Sequence, residues 1–153
     1  MINLYKISLL FLFFGLFSCL SLKKTASLPI ILNENSGLII SDEGFWFIND
    51  GDNGPMIFKT NINGEIIRSI ELVNAQNKDW EAICRDKKGN VFIGDFGNNL
   101  NKRRDLCIYK IPHPDSIIDD KVKAEKMLFE YPNQYKFQPD TENMNFDAEA
   151  MVR

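Results

Sequence analysis

The feature that most constrains this chain is an internal repeat. Residues 34–53 align without a gap with residues 79–98, at an offset of 45 positions, and a third copy begins at residues 147–151, which match residues 79–83. A repeat of this length forms a unit that must stack on its neighbours, because one unit cannot bury its apolar face alone. The best-matched positions are Glu34 and Asp79, Leu38 and Ile83, Gly44 and Gly89, Phe47 and Phe92, Ile48 and Ile93, Asp50 and Asp95, and Asn53 and Asn98.

Each copy has the pattern of β structure. A short apolar strand leads to a turn at Gly44 or Gly89, and a second strand rich in aromatic and β-branched residues follows. In the first copy, residues 56–60 and 65–72 alternate around Asn63-Gly64, a typical hairpin turn; in the second copy, residues 105–111 form the corresponding third strand. Residues 120–129 are compatible either with a helix or with a fourth strand.

Four strands in a unit of about 45 residues indicate an all-β chain built of β-propeller blades, each with four antiparallel strands. About two blades and the start of a third are present, whereas closed propellers have roughly four to eight. We therefore expect the chain to be part of a longer protein and not to fold stably alone. The alternative is a β-sandwich in which two hairpins are similar by chance.

The N-terminus predicts export. A basic start is followed by an apolar run over residues 7–17, which at about eleven residues is shorter than the roughly 20 that a membrane-spanning helix needs. Residues 16–19, Leu-Phe-Ser-Cys, resemble the lipobox of bacterial lipoproteins. We expect a signal peptide at 1–18, lipidation at Cys19, a tether at 19–30 and the partial propeller at 31–153, anchored to a membrane of the cell envelope. The alternative is an ordinary secretory signal with an incidental cysteine.

Charge and cysteine content restrict the partners further. The formal net charge is −3 at pH 7, so nucleic acid is not an expected partner, because its binding needs a concentrated basic surface. Cys84 and Cys107 could form a disulfide in an exported chain, but both lie in apolar strand patterns, where free cysteines are commonly buried.

Residues 36–112 resemble bacterial propeller proteins with blades of the NHL and gluconolactonase-like kind. Relatives in this neighbourhood include phytase-like esterases and lactonases, in which acidic residues near the propeller axis hold calcium. The resemblance covers about half of the chain and implies a fold more strongly than an activity. The segments that carry it are Ser36-Gly-Leu38, Trp46 with Asn49-Asp50-Gly51, residues 77–83, residues 94–99 and residues 108–112.

Candidate metal ligands come from recurring carboxylates. Glu81 and Glu149 occupy the same place in the second and third copies, on the strand that lines the channel of a propeller. Like charges around one axis repel unless a hard cation compensates them, which suggests Ca²⁺. With Asp95, these residues form the predicted metal set. The alternative is that both glutamates accept backbone hydrogen bonds from neighbouring blades.

Candidate ligand contacts follow the second strand of each repeat. Asp50, Asn53 and Asn98 lie where the chain turns at a rim, and Arg103 could grip an anion by bidentate hydrogen bonds. The alternatives are turn formation by the Asp and Asn side chains and a solvated arginine. His113 has no evident partner for nucleophilic catalysis, and no catalytic residue is assigned.

Two functions are consistent with these features. The first is a lipoprotein that binds an envelope protein, a glycan or a small ligand through its loops. The second is a Ca²⁺-dependent hydrolase of a phosphoester or lactone, in which Glu81, Asp95 and Glu149 hold the ion and a metal-bound water attacks. Fold alone cannot decide between them; we favour the binding protein.

Overall fold

The structure is a computed structural model that describes residues 24–51, 53–137 and 144–152. The predicted signal peptide, Cys19 and the first part of the tether lie outside the described residues. The described chain forms two β-sheets and two short 3-10 helices, at Ile30–Leu32 and Pro114–Ser116. The all-β fold class is confirmed.

The first sheet has five strands, of which the first four form an antiparallel meander. These are β1 (Asn35–Ser41), β2 (Gly44–Asn49), β3 (Met56–Thr60) and β4 (Ile66–Leu72). The Asn63-Gly64 turn predicted from the sequence lies between β3 and β4, and Gly64 has a positive φ of 85°, which favours glycine.

The second sheet repeats this order. It contains β5 (Trp80–Arg85), β6 (Val91–Asp95), β7 (Cys107–Ile111) and β9 (Glu125–Leu128), all antiparallel. Between β7 and β9, the two-residue strand β8 (Lys121–Val122) pairs in parallel with β4 of the first sheet. Residues 120–129 are therefore strands and not a helix, and they connect the two sheets.

Most of the core lies between the sheets. The front face of the first sheet packs against the back face of the second sheet. The same names apply to both sheets, so the front face of the second sheet is the one that points away from the first. Trp46 and Trp80 are both fully buried there, and a Cβ at Gly37 would lie 3.0 Å from Ile83 Cγ2, so β1 and β5 approach closely. The cluster also contains Ile48, Ile57, Ile70 and Leu72 of the first sheet and Val91, Ile93, Cys107, Tyr109 and Ile111 of the second.

The second hairpin is shifted by one residue relative to the sequence alignment. Leu38 pairs with Phe47 in the first sheet, whereas Ile83 pairs with Ile93, and not with Phe92, in the second. The turn between β5 and β6 is one residue longer, which moves every β6 side chain to the opposite face. Phe92 is thus the structural counterpart of Trp46, and the two sheets stack front to back in the same orientation.

The two cysteines do not form a disulfide. Neither Cys84 nor Cys107 is joined to another cysteine, and Cys107 is buried in the core between the sheets. In the same sheet, β5 directs Ile83 into that core, so the adjacent Cys84 lies on the opposite face because strand side chains alternate. The bridge considered from the sequence is replaced by the buried free thiol.

A loop from the second sheet closes over the first. Asp115 Oδ1 accepts hydrogen bonds from Trp46 Nε1 at 3.1 Å and from Lys59 Nζ at 2.7 Å. The Lys59 side chain is only 10% exposed. Burial alone raises the pKa of Asp115, but the hydrogen bonds from Lys59 and Trp46 outweigh it and hold the pKa below its usual value. We call Lys59, Trp46 and Asp115 the inter-sheet latch.

Asp115→Ala should destabilise the protein by about 1–3 kcal/mol, because it leaves the buried Trp46 Nε1 and Lys59 Nζ without this acceptor. The measurement is the free energy of unfolding from urea denaturation. Asp119→Ala, at an exposed position of the same loop, is the matched control and should stay within about 0.5 kcal/mol of wild type. Equal losses in the two variants would contradict a specific latch.

Candidate functional site: an acidic cluster between the repeats

Three carboxylates meet where the two repeats join. Asp50 follows β2 of the first repeat, whereas Asp79 precedes β5 and Glu81 lies on it. One oxygen from each of the three side chains lies within 4.8 Å of the others. We call this set the acidic cluster. Because the ends of β2 and β5 pack side by side, residues 29 positions or more apart in sequence share one site.

The start of the third repeat adds two more negative charges. Glu149 raises the pKa of Glu81 by its charge and by a side-chain hydrogen bond, and Asp147 raises the pKa of Asp79 by its charge. Asp147 Oδ1 is fixed in place by the backbone N–H of Asn98, at 2.5 Å. The carboxylates that open the second repeat thus lie at the loop after β2. In the same way, Asp147, which opens the third repeat, lies at the loop after β6.

Glycine 97 makes room for this arrangement. A Cβ at Gly97 would lie 2.3 Å from Asp79 Cγ and 2.6 Å from Glu81 Oε1, closer than non-bonded atoms can approach. At Gly51, a Cβ would lie 2.6 Å from the Lys78 carbonyl oxygen. The two glycines follow the second strands of the two repeats, so any larger side chain there would displace the cluster.

The carboxylates hold protons more strongly than isolated ones. Burial, a hydrogen bond with Asp50 and the charge of Asp50 raise the pKa of Asp79 to about 6. Burial and the negative charges of Glu149, Asp50 and Asp79 raise the pKa of Glu81 to about 7. Near neutral pH, the site can therefore bind or release a proton, or exchange it for a cation.

A buried ion pair supports the cluster from below. Asp95 is 1% exposed, and its Oδ1 accepts from Arg103 Nη2 at 2.9 Å and from the backbone N–H of Asp79 at 3.1 Å. Arg103 also donates from Nη1 to the carbonyl of Gly97 and from Nε to Asp105. The pair thus fixes both Asp79 and Gly97, so Asp95 and Arg103 act as positioning residues.

The predicted site residues therefore separate into two groups. Glu81 and Asp50 lie in the acidic cluster, and Glu149 lies beside Glu81. Asp95, predicted as a metal ligand, forms an ion pair with Arg103, predicted to contact a ligand, and Arg103 also lines a cavity beside Asp79.

Asn53 and Asn98, which the sequence predicted to contact a ligand, form hydrogen bonds to the backbone of loops. Asn53 Nδ2 donates to Glu34 Oε2 and to the carbonyls of Asp50 and Gly51, each at 3.2 Å. Asn98 Nδ2 donates to the carbonyl of Phe146 at 2.8 Å, and its Oδ1 accepts from the backbone N–H of Arg103 at 2.9 Å. Asn53 thus holds its own loop together, whereas Asn98 joins the loop after β6 to the start of the third repeat and also lines the cavity beside Asp79.

Asp79 is the site residue that sequence reasoning did not select. The sequence contained a pattern that could have selected it, because the repeat alignment pairs Asp79 with Glu34 and Asp147, and all three residues are acidic. What the sequence did not reveal is that Asp50 of the preceding repeat folds back onto it. A cavity of about 210 Å³ opens beside Asp79 and is also lined by Gly97, Asn99 and Lys102, among others.

The pH dependence of stability tests the cluster. Folding raises the pKa of Glu81 from 4.5 to about 7 and that of Asp79 from 3.8 to about 6. The folded state then binds more protons than the unfolded state in this interval, so stability should fall as pH rises from 5.0 to 7.5. Because solvent screens these partly exposed groups, we count only about 1 kcal/mol of the linkage free energy, so Tm should fall by at least about 2–4 °C, the change that 1 kcal/mol produces in a chain of this size.

Glu81→Gln should flatten this profile and raise Tm at pH 7.5, because the neutral amide removes the repulsion. Glu130→Gln, which removes an exposed glutamate charge, should leave the profile unchanged. Thermal melts followed by circular dichroism at both pH values provide the measurement. A wild-type Tm that rises towards pH 7.5 would contradict the raised pKa values.

Arg103→Ala should destabilise the protein by about 3–5 kcal/mol, because it leaves the buried Asp95 charge without its partner. Arg103→Lys should recover only part of this loss, since an ammonium cannot reproduce the forked contacts to Asp95 and Gly97. Chemical denaturation is the measurement. Arg104→Ala, which removes an exposed guanidinium stacked on Phe137, should lose no more than about 1 kcal/mol; a similar loss at both positions would be inconsistent with this role for Arg103.

Comparison with known proteins gave no match for this chain among protein-family models, curated proteins or solved structures. Within the part of the chain that the structure describes, no helix has the length and apolar character needed to cross a membrane. The function of the chain must therefore be argued from its own residues.

Proposed function

We propose that this chain belongs to a lipid-anchored β-propeller protein of the cell envelope that binds a ligand through Ca²⁺ at the acidic cluster. One observation carries the proposal: carboxylates from consecutive repeats converge to within 4.8 Å of one another at one rim. The propeller arrangement is supported by the front-to-back stacking of two equivalent four-stranded meanders. The membrane anchor rests on the sequence of residues 1–30.

The donor set fits a hard divalent cation. Ca²⁺ takes six to eight oxygen ligands at roughly 2.3–2.6 Å and prefers carboxylates and carbonyls. Asp50, Asp79 and Glu81 would supply the first oxygens, and Glu149 is close enough to Glu81 to add another. Arg103 binds Asp95, and its positive charge only partly offsets the raised pKa of Asp79.

The surroundings of the cluster suggest how a ligand would bind. The cavity of about 210 Å³ beside Asp79 is lined by Lys102, Asn99 and Asn98. An anionic ligand, such as a phosphorylated or carboxylated glycan or small molecule, could contact the bound cation on one side and Lys102 on the other. A protein that presents an acidic side chain would satisfy the same contacts. Nucleic acid is not an expected partner.

A hydrolase of phosphoesters or lactones is the second candidate, and the protonation of Glu81 is the observation that favours it. A carboxyl group with a pKa of about 7 can accept and return a proton at neutral pH, as general acid–base catalysis requires. A bound Ca²⁺ would supply charge stabilisation for an anionic transition state. In this scheme Asp50 and Asp79 would hold the cation and Glu81 would carry the proton at its carboxylate, because a carboxylate bound to Ca²⁺ cannot carry a proton as well; Asp95 and Arg103 keep Asp79 in position.

Calcium binding should be measurable by calorimetric titration of the full chain in detergent at pH 7.5. We expect saturable binding that raises Tm, because a ligand specific to the folded state stabilises it. Glu81→Gln should weaken binding tenfold or more, as follows from a loss of about 1.4 kcal/mol, and Glu130→Gln should bind like wild type. No binding by a chain that melts cooperatively would contradict the proposed cation site.

The same samples separate the two candidate functions. With Ca²⁺ present, hydrolysis of p-nitrophenyl phosphate or of a simple lactone that Glu81→Gln abolishes would support the hydrolase. Saturable cation binding without turnover of either substrate would support the binding protein.

A further inference from the structure

The second sheet has a front face that matches the covered front face of the first. The cross-strand pairs define the correspondence: Trp46 pairs with Lys59 in the first sheet, as Phe92 pairs with Lys110 in the second. The remaining counterparts follow from the same registers. They are Ile39 and Cys84, Ile57 and Ile108, and Ile70 and Met127.

The front face of the first sheet shows what such a face binds. It is covered by the apolar back face of the second sheet, and its lysine, Lys59, is held by Asp115 from the loop after β7. An apolar sheet and one carboxylate on the loop after its third strand are therefore the features of the partner at the established interface.

Among residues 24–51, 53–137 and 144–152, those of the third repeat cover one end of the front face of the second sheet. Residues Ala148 and Met151 of the third repeat pack against Ala82, Phe96 and Leu106 there. Asp147 is tied to Asn98, much as Asp79 approaches Gly51 at the first junction. The third repeat therefore starts on this face in the position that β5 takes on the first sheet.

The other end of this face is an open basic cleft of about 760 Å³. Phe92 and Met127 form part of its floor, and Lys110 lies beside them, paired with Glu125 at 3.0 Å. Its lining residues carry four positive charges and one negative charge, from Arg85, Lys87, Lys88, Lys110 and Asp86. A partner with an acidic group at this place would complement the cleft.

We propose that this front face docks a further four-stranded sheet, the one that begins at Asp147–Met151, and that a carboxylate on the loop after its third strand binds Lys110. Lys110 is the counterpart of Lys59, and the incoming carboxylate is the counterpart of Asp115. The partner is thus a sheet with an apolar back face and one acidic latch residue. The contact would continue the established interface by one repeat.

A chain extended with its own repeat tests this interface. Residues 84–137 are copied and joined after Met151, so that Asp147–Met151 takes the place of residues 79–83, and the two copied cysteines are replaced by valine. Iodoacetamide alkylation of the original Cys84, read by mass spectrometry, reports cover of the face, because Cys84 lies on it and is half-buried. Cys107, which is buried between the sheets, is the internal control.

We expect alkylation of Cys84 to slow at least tenfold in the extended chain and Tm to rise. Lys110→Ala should reduce the gain in Tm, and so should Ala in place of the copied Asp115, whereas Ala in place of the copied Asp119 should have no effect. In the parent chain, Lys110→Ala should change Tm little.

Unchanged alkylation of Cys84 in the extended chain would overturn the proposal, whether or not the added repeat folds. The proposal would also be overturned if the parent chain formed a dimer in sedimentation, if Cys84 resisted alkylation in that dimer, and if Lys110→Ala abolished the dimer. A second copy of the chain would then occupy this face. Alkylation needs no cation, so the docking proposal and the Ca²⁺ site can fail independently, although both rest on the repeat arrangement.

Discussion

A sheet has two faces, and each of the two sheets of this chain has an apolar face that needs to be covered by the other sheet. The fully buried Trp46 and Trp80 mark the junction at which this need is met between the two repeats. The front-to-back orientation is what lets one repeat follow another in the same sense. The inter-sheet latch then secures the polar edge of the junction, where Lys59 would otherwise be buried without a strong partner.

The acidic cluster follows from this stacking. Once the sheets are packed together, the loop after β2 and the start of β5 lie side by side. Their carboxylates are therefore brought within 4.8 Å of one another. The space for them exists because Gly97 has no side chain. The Asp95–Arg103 pair, buried directly beneath, fixes the backbone on both sides of that space. The rim is therefore held in an arrangement that electrostatic repulsion alone would open.

An arrangement that concentrates negative charge needs compensation, and this connects the structure to its proposed function. The raised pKa values of Asp79 and Glu81 show that protons can supply it. A divalent cation would supply it at neutral pH, with the adjoining cavity and Lys102 available to an anionic ligand. Binding and hydrolysis differ in whether Glu81 holds the cation or carries a proton, so the same site is compatible with both.

Much of the architecture could be read from the sequence because it depends on local patterns. Alternation and turn residues predicted the strands, the Asn63-Gly64 turn and the repeat, and the recurrence of Glu81 singled out a residue of the cluster. The one-residue shift of β6 could not be read, because the longer turn before it changes which face Phe92 occupies without disturbing the alignment. The partnership of Arg103 with Asp95 was also hidden, since a charge pattern does not show whether an arginine will be buried.

The sequence by itself determined the strand order, the repeat and the acidic residues that open each copy. The tertiary structure alone decided that Asp50 of one repeat meets Asp79 and Glu81 of the next, and that Arg103 binds the buried Asp95 while it also lines the adjoining cavity. The physical reason is that strands and turns arise from interactions between near neighbours in sequence. The site arises from the packing of one sheet on another, which sets distances between residues that the sequence leaves far apart.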